Sequence, residues 1–170
     1  PPPQGYHCDY CGMDYMRGDP EDSLAHRSYH AQIKRVLDPW PKREFVEALA
    51  TDPDAELVCA RSPMWKHREM FARARQFKRE MRFDFIQWGD HNQRDTDPYV
   101  HGFLFADTTG TLPHGTIVGA CCFRRRDEHW SLSWIWIIPQ MRRKGIVGQR
   151  WQRFIDRFGD FEIETPVSEA

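Results

Sequence analysis

The most constraining feature of this sequence is a set of four metal-binding side chains near its start. Cys8 and Cys11 are separated by two residues, and His26 and His30 are separated by three. This is the spacing of a zinc site made of two thiolates and two imidazoles. A small module has few apolar residues to bury, so we expect it to fold only with the metal bound. Residues 1–40 are therefore predicted to form a small ββα zinc finger. The apolar residues expected to pack beside the metal are Tyr6, Met13, Leu24 and Ile33.

A helix is predicted to begin between the cysteine pair and the histidine pair. Asp19 can cap it, and Pro20 suits its first position. Glu21 and Asp22 then place acids in the first turn, where a DNA-reading finger presents its base-contacting residues. These acids would repel phosphates, so sequence-specific DNA binding through this helix is not expected. The finger is predicted to serve structure or protein docking.

The second informative stretch runs from residue 131 to residue 151, with the sequence SLSWIWIIPQMRRKGIVGQRW. Its first part is short, apolar and rich in Ile and Trp, which predicts a buried strand, and Pro139 ends it. The basic segment 142–145 then opens into residues with helical spacing. A strand, a glycine-containing loop and a helix start direct backbone N–H groups and the helix dipole at one point, which suits a pyrophosphate. An ordinary solvated loop is the alternative interpretation.

The rest of the chain alternates between helices and strands. Helices are predicted over residues 42–50 and 62–82, and further strands over residues 56–60, 100–106, 116–124 and 161–164. The polar face of the second helix carries Lys66, Arg68, Arg73, Arg75, Lys78, Arg79 and Arg82. A solvated face is expected there, and an acidic partner is the alternative. This order predicts an α/β domain over residues 41–170, with a mixed, mostly antiparallel sheet and flanking helices.

Composition excludes several classes of protein. The formal net charge is −1, so no global field selects nucleic acid or membrane. There is no apolar run of the roughly 20 residues that span a bilayer, and no signal-peptide pattern. The five cysteines show no disulfide framework, which fits a reducing compartment. We therefore expect an intracellular protein, cytoplasmic or on the nucleoid in a bacterium and nuclear in a eukaryote. The chain begins at Pro1 without an initiator Met, which is consistent with a fragment.

Residues 142–147 (RRKGIV) resemble the acetyl-CoA pyrophosphate loop of the GNAT acetyltransferases. Together with the finger, the likeness extends to the sister-chromatid cohesion acetyltransferases and covers almost the whole chain. The segments that carry it in the second domain are 133–137 (SWIWI) and 141–144 (MRRK). The resemblance implies a GNAT fold, Zn²⁺ in the finger and acetyl-CoA as cosubstrate. It also implies a protein lysine as acceptor, on a chromosome-associated partner, and no membrane.

The resemblance also assigns residues to the site. Strand-like backbone bonds to the pantetheine arm would come from Ile135, Trp136 and Ile137. The pyrophosphate would lie against Arg142, Arg143, Lys144, Gly145, Ile146, Val147 and Gly148. Val147 stands where the superfamily prefers a small residue, and Ser133 matches a family active-site serine. Thr165 and Pro166 stand where family members have an Asp-Pro step, so a catalytic aspartate is not carried over to Thr165.

The chemistry of acetyl transfer narrows the candidates further. The reaction needs a neutral amine, a base or water path for its proton, and donors for the thioester oxygen. Candidates are Glu128 and His129 at the mouth of the central strand, and Ser131 and Ser133 on one of its faces. The predicted function is acetyl-CoA-dependent acetylation of a protein lysine. The alternatives are a small-molecule amine acetyltransferase, and a non-catalytic or weakly catalytic interaction module on a GNAT scaffold. With the chain ending at Ala170, the C-terminal part of this domain is expected to be incomplete and to lack one wall of the acceptor groove.

Overall fold

In a computed structural model, residues 2–89 and 92–164 of the chain are described. The chain forms two compact units, Pro1–Pro39 and Trp40–Ala170. The first unit contains an antiparallel hairpin of β1 (Gln4–His7) and β2 (Asp14–Arg17), followed by α1 (Pro20–Leu37). This is the predicted ββα arrangement.

Helix α1 begins as the sequence predicts. The Asp19 carboxylate accepts hydrogen bonds from the backbone N–H groups of Glu21 and Asp22, both at 3.0 Å, and Pro20 is its first residue. The small core of this unit contains Cys8, Cys11, Ile33, Met13, Tyr15, Tyr29 and Leu37. The prediction was wrong for Leu24 and Tyr6, which are 62% and 47% exposed. Leu24 lies on the solvent side of the helix, and the sequence pattern did not distinguish that side from the metal side.

The second unit is a five-stranded sheet with flanking helices. Its elements are α2 (Arg43–Thr51), β3 (Leu57–Val58), α3 (Met64–Met81), β4 (Val100–Ala106), β5 (Ile117–Arg126), β6 (His129–Ile137), a short 3-10 helix (Pro139–Met141), α4 (Gly148–Phe158) and β7 (Glu162–Ile163). The strand order is β3-β4-β5-β6-β7. Neighbours are antiparallel except β6 and β7, which are parallel. The mixed, mostly antiparallel sheet of the predicted fold is therefore confirmed.

Helix α3 buries two cations that the sequence analysis placed on a solvated face. Lys66 donates from Nζ to the carbonyl oxygens of Ala55 at 2.7 Å and Leu57 at 3.0 Å. Arg73 pairs with Glu69 at 2.5 Å and also donates to a carbonyl oxygen of β5 at 3.3 Å. The expectation of a fully solvated face was wrong for these two residues, because each finds carbonyl acceptors inside the domain that repay its loss of water.

Helix α4 is held against the sheet by a buried ion pair. Arg150 donates to both carboxylate oxygens of Glu56, at 2.9 and 2.5 Å, and to the carbonyl oxygen of Ala106 at 2.8 Å. Burial raises the pKa of the Glu56 carboxyl, but the hydrogen bonds and charge of Arg150 outweigh it and hold this pKa below its ordinary value. Phe154 and Phe158 of α4 pack on Phe123 of β5, with ring centroids 5.0 and 4.1 Å apart. These contacts hold α4 against one face of the sheet.

Among the described residues, no helix combines the length and the apolar character that crossing a bilayer requires.

Candidate functional site

The four predicted metal ligands lie together in the first unit. One donor atom from each of Cys8, Cys11, His26 and His30 lies within 4.8 Å of the others. Cys8 Sγ is 3.5 Å from His30 Nδ1. The hairpin supplies the thiols, and α1 places the two histidines one turn apart on one side, as the i, i+4 spacing predicts.

The chemistry of this cluster fits Zn²⁺. Two sulfurs and two imidazole nitrogens are the donors that tetrahedral zinc prefers. Nε2 of His26 is buried and has no hydrogen-bond partner among the described residues, which is costly unless the atom binds a metal. A backbone hydrogen bond from Cys11 lowers the pKa of the Cys8 thiol to about 6, so the thiolate is available near neutral pH. Tyr15 stacks on His26 at a centroid distance of 4.0 Å and holds its ring in place.

In the second unit, strand β6 contains a β-bulge at Ser133. Cys122 of β5 lies opposite Trp134, and the next residue, Phe123, lies opposite Leu132, so Ser133 has no partner in the ladder. The side chain of Ser133 is 6% exposed. A bulge bends a strand and redirects its side chains, and bulges are frequent beside active sites.

Within the described residues, β7 pairs with the first half of β6. The paired residues are Ser131 with Glu162 and Leu132 with Ile163, and Glu164 donates its N–H to the Leu132 carbonyl at 3.0 Å. From Ser133 onward, no strand of the described chain borders β6 on this side. Within the described residues, the edge of β6 from Ser133 to Ile137 thus has no strand beside it, and we call it the open edge.

The backbone N–H and C=O groups of β6 point alternately toward β5 and toward the open edge. Ile138 donates its N–H to Val118 of β5 at 2.9 Å, so the period of two turns the backbone groups of Ile135 and Ile137 toward the open edge. Trp136 turns its backbone toward β5, and its indole N–H donates to Glu80 at 2.9 Å. Of the three residues assigned to the pantetheine arm, two thus face the open edge and Trp136 does not.

The predicted pyrophosphate loop follows the open edge. Arg143 and Gly145 have φ of 62° and 79°, and these positive angles curl the backbone so that successive N–H groups point to one side. Among the described residues, no protein acceptor takes a hydrogen bond from the backbone N–H groups of residues 143–148. A Cβ on Gly145 or Gly148 would meet no atom within 4 Å. Residues 143–145 are exposed, so the loop presents N–H donors without a protein acceptor at the start of α4, where an anion fits.

Arg142 is also exposed, but its guanidinium is engaged by other parts of the domain. Its guanidinium donates to both carboxylate oxygens of Glu80 on α3, at 2.9 and 2.8 Å, and to the carbonyl oxygen of Ile137 at 2.9 Å. Glu80 also accepts a hydrogen bond from the indole N–H of Trp136. Arg142 therefore fastens the end of β6 to α3, whereas Arg143 and Lys144 are exposed with no ion-pair partner in the described part of the chain.

The structure adds a carboxylate that the sequence analysis missed. Glu164, directly after β7, accepts hydrogen bonds at Oε1 from the hydroxyls of Ser131 at 2.6 Å and Ser133 at 3.2 Å. The prediction that the two serines share a face is confirmed by these bonds. The sequence analysis sought an acid at residues 165–166, which lie outside the described residues. A glutamate one position earlier was the available signal.

Glu128 and His129 lie at the other end of β6. Asp127 and Glu128 have φ of 48° and 67°, so they form the tight two-residue turn between β5 and β6. At about 3.3 Å per residue, Glu128 is about 16 Å along the strand from Ser133. The structure therefore does not bring Glu128 to Ser133. His129 lines a groove of about 530 Å³ that also contains Ser131 and Glu164.

Comparison with known proteins agrees with both parts of the structure. No curated protein matches the chain at a significant level. The family model described as the zinc-finger of acetyl-transferase ESCO matches residues 2–32, which contain the four clustered ligands. The family model described as Acetyltransferase (GNAT) family matches residues 63–167, more than half of the chain, including the open edge and the loop. The chain therefore belongs to the GNAT family of acetyltransferases and carries an ESCO-type zinc finger.

Proposed function

We propose that this chain is an acetyl-CoA-dependent N-acetyltransferase whose acceptor is a lysine side chain of a protein. The observation that carries the proposal is the open edge of β6, which no described strand borders from the Ser133 bulge onward, with the loop of N–H donors at its far end. A pantetheine arm has amide groups that can bond to a strand edge, and its pyrophosphate is an anion for the loop.

Several residues of this chain would hold the cosubstrate. The N–H and carbonyl groups of Ile135 and the N–H group of Ile137 face the open edge, while the Ile137 carbonyl accepts from Arg142. The N–H groups of residues 143–148 form the loop. The side chains of Arg143 and Lys144 add positive charge beside it. We assign Arg142 a different task, because its bonds to Glu80 and Ile137 support fixing the loop to α3.

Direct transfer from the thioester to the amine is the mechanism that the surrounding residues favour. Burial raises the pKa of the Cys122 thiol to about 12, and it raises that of Cys121 well above its ordinary value. Neither thiol of β5 is a nucleophile at neutral pH, so an acetylated cysteine at these positions is disfavoured. Ser133, at the bulge, is the residue of our sequence-based set that we place nearest the reacting groups.

We propose that the finger binds one Zn²⁺ through Cys8, Cys11, His26 and His30 and serves structure or protein docking. The metal supplies folding free energy to a unit with a very small core. The first turn of α1 carries Glu21 and Asp22, and Asp22 Oδ2 accepts the N–H of Met16 at 2.9 Å. An acidic first turn tied to the hairpin supports docking to protein over reading of DNA bases.

The proposal is tested by binding and turnover measured on the same preparation. Calorimetry should give one acetyl-CoA site per chain, with affinity that falls as salt is raised. Release of free CoA thiol should then be acetyl-acceptor dependent, and faster with a lysine peptide than with a simple primary amine. A chain that binds no acetyl-CoA would refute the proposal, and faster turnover of the simple amine would replace the protein lysine by a small-molecule acceptor.

A further inference from the structure

We infer that the carboxylate of Glu164 is the proton acceptor in acetyl transfer and that Ser131 and Ser133 are its positioning residues. The inference rests on the proposed function. It assigns a general base to the site, which the resemblance did not provide because Thr165 stands in place of the family's aspartate.

Glu164 lies beside the bulge of β6. Its backbone N–H donates to the carbonyl oxygen of Leu132 at 3.0 Å, which is the last hydrogen bond between this segment and β6 within the described residues. The next residue of β6 is Ser133, the bulged one. Glu164 therefore stands where the open edge begins, which is where a thioester lying along that edge would meet an acceptor.

The two serines hold the carboxylate of Glu164 through one of its oxygens. Both serine hydroxyls donate to Oε1, so one oxygen is fixed from two sides. Within the described part of the chain, Oε2 receives no hydrogen bond from any protein group. The pair of serines thus orients the carboxylate and leaves its second oxygen for a proton.

The carboxylate of Glu164 is accessible from a groove. Glu164 and Ser131 line this groove of about 530 Å³, together with Asp127 of the β5–β6 turn. Ser133 itself is 6% exposed. An acceptor amine arriving through this groove meets Glu164 before it meets the interior of the sheet.

The proton balance follows from these positions. The neutral amine nitrogen forms a bond to the thioester carbonyl carbon and becomes positively charged. Glu164 Oε2 takes one proton from that nitrogen as the carbon–sulfur bond breaks. The products are the N-acetyl amide and the thiolate of CoA, which receives the proton from Glu164 and leaves as the free thiol. The carboxylate is restored, so no further reactant is needed.

Glu164→Gln is the discriminating variant. The amide oxygen can still accept from both serines, while the amide NH₂ presents hydrogens where a proton was to be accepted. We expect kcat with a lysine peptide to fall by about 10²–10⁴-fold, the usual contribution of a general base. The Kd for acetyl-CoA should change less than about twofold and the melting temperature should stay near wild type, since Oε1 keeps its bonds. Glu47→Gln, an exposed carboxylate on α2 paired with Arg43, is the matched control and should leave all three unchanged.

Chemical rescue separates a proton acceptor from a structural residue. Glu164→Ala leaves room for a small carboxylate, so added formate should raise its turnover at least about tenfold, and formate should not raise that of Glu164→Gln. Ser131→Ala should lower kcat while leaving the acetyl-CoA Kd in place.

Two outcomes would overturn the inference and leave the proposed function standing. One is wild-type turnover by Glu164→Gln. The other is a loss of turnover that tracks a loss of acetyl-CoA affinity and melting temperature and that formate does not restore. A wild-type chain that binds acetyl-CoA but acetylates neither peptide nor simple amine would overturn the proposed function, and this inference with it.

Discussion

Replacement of Gly145 tests directly whether the loop of residues 143–148 binds the pyrophosphate. Gly145 has φ of 79°, and a Cβ there would meet no protein atom within 4 Å. A side chain would therefore project into the space that a phosphate would fill. Gly145→Asn and Gly145→Asp have the same shape, and both residue types tolerate a positive φ better than most, at a shared backbone cost of about 1 kcal/mol. The difference between them isolates the added negative charge.

The magnitude of that difference can be worked out from simple electrostatics. Two unit charges about 4 Å apart repel by about 4 kcal/mol at an effective dielectric constant of about 20. Because the loop is exposed, screening reduces this to about 2 kcal/mol, or roughly a 30-fold weaker acetyl-CoA affinity for the aspartate variant than for the asparagine variant. In 1 M salt the ratio of the acetyl-CoA affinities of the two variants should shrink severalfold. Calorimetric titration of both variants at two salt concentrations measures it.

Equal affinity of the two variants at low salt, with both chains folded, would refute this reasoning. The pyrophosphate would then bind away from Gly145. A drop in affinity that is the same for Asn and Asp and independent of salt would mean that bulk, and not charge, is what the loop excludes.

Three other predictions concern the rest of the chain. Cys11→Ser should lower bound zinc from one per chain toward zero and remove the N-terminal melting transition while the second unit keeps its own, as metal analysis and calorimetry would show. Glu56→Gln should destabilise the second unit by about 3–5 kcal/mol, because Arg150 is left buried without its charge partner. The folded pKa of Glu56 lies below its ordinary value of 4.5. Its contribution to the free energy of unfolding is therefore complete above pH 4.5 and is lost as the pH falls through the folded pKa. Lowering the pH should thus reduce the stability of the wild type more than that of the variant. Gly102→Ala should cost about 1–3 kcal/mol in urea unfolding, because its Cβ would lie 2.9 Å from two ring carbons of the buried Trp88, in addition to 2.5 Å from Met70 Cε.

The features that could be predicted from the sequence are those that depend on a short stretch of the chain. The cysteine and histidine spacings predicted the clustered ligands, and Asp19 with Pro20 predicted the start of α1. The apolar run before Pro139 predicted β6. Each of these depends on residues that are neighbours along the chain, so local rules suffice.

The features that could not be predicted depend on pairing between distant residues. The Ser133 bulge exists only in the register between β5 and β6, which no single-strand pattern contains. The contact of Glu164 with Ser131 joins residues 33 positions apart. Burial of Lys66 was equally hidden, because its acceptors are backbone carbonyls that carry no side-chain signature.

The open edge of β6 in the described part of the chain also bears on how copies of the protein interact when no cosubstrate is bound. A strand with unpaired peptide groups is a template for a second strand, and such edges cause self-association. Here the chain limits that hazard with its own residues: Arg142 occupies the Ile137 carbonyl, Pro139 stops the strand, and two exposed cations stand beside it. The unpaired peptide groups that would bind a ligand are the same ones that could pair with a strand of another copy. Cosubstrate on this edge would therefore act as a removable sixth strand that completes the sheet.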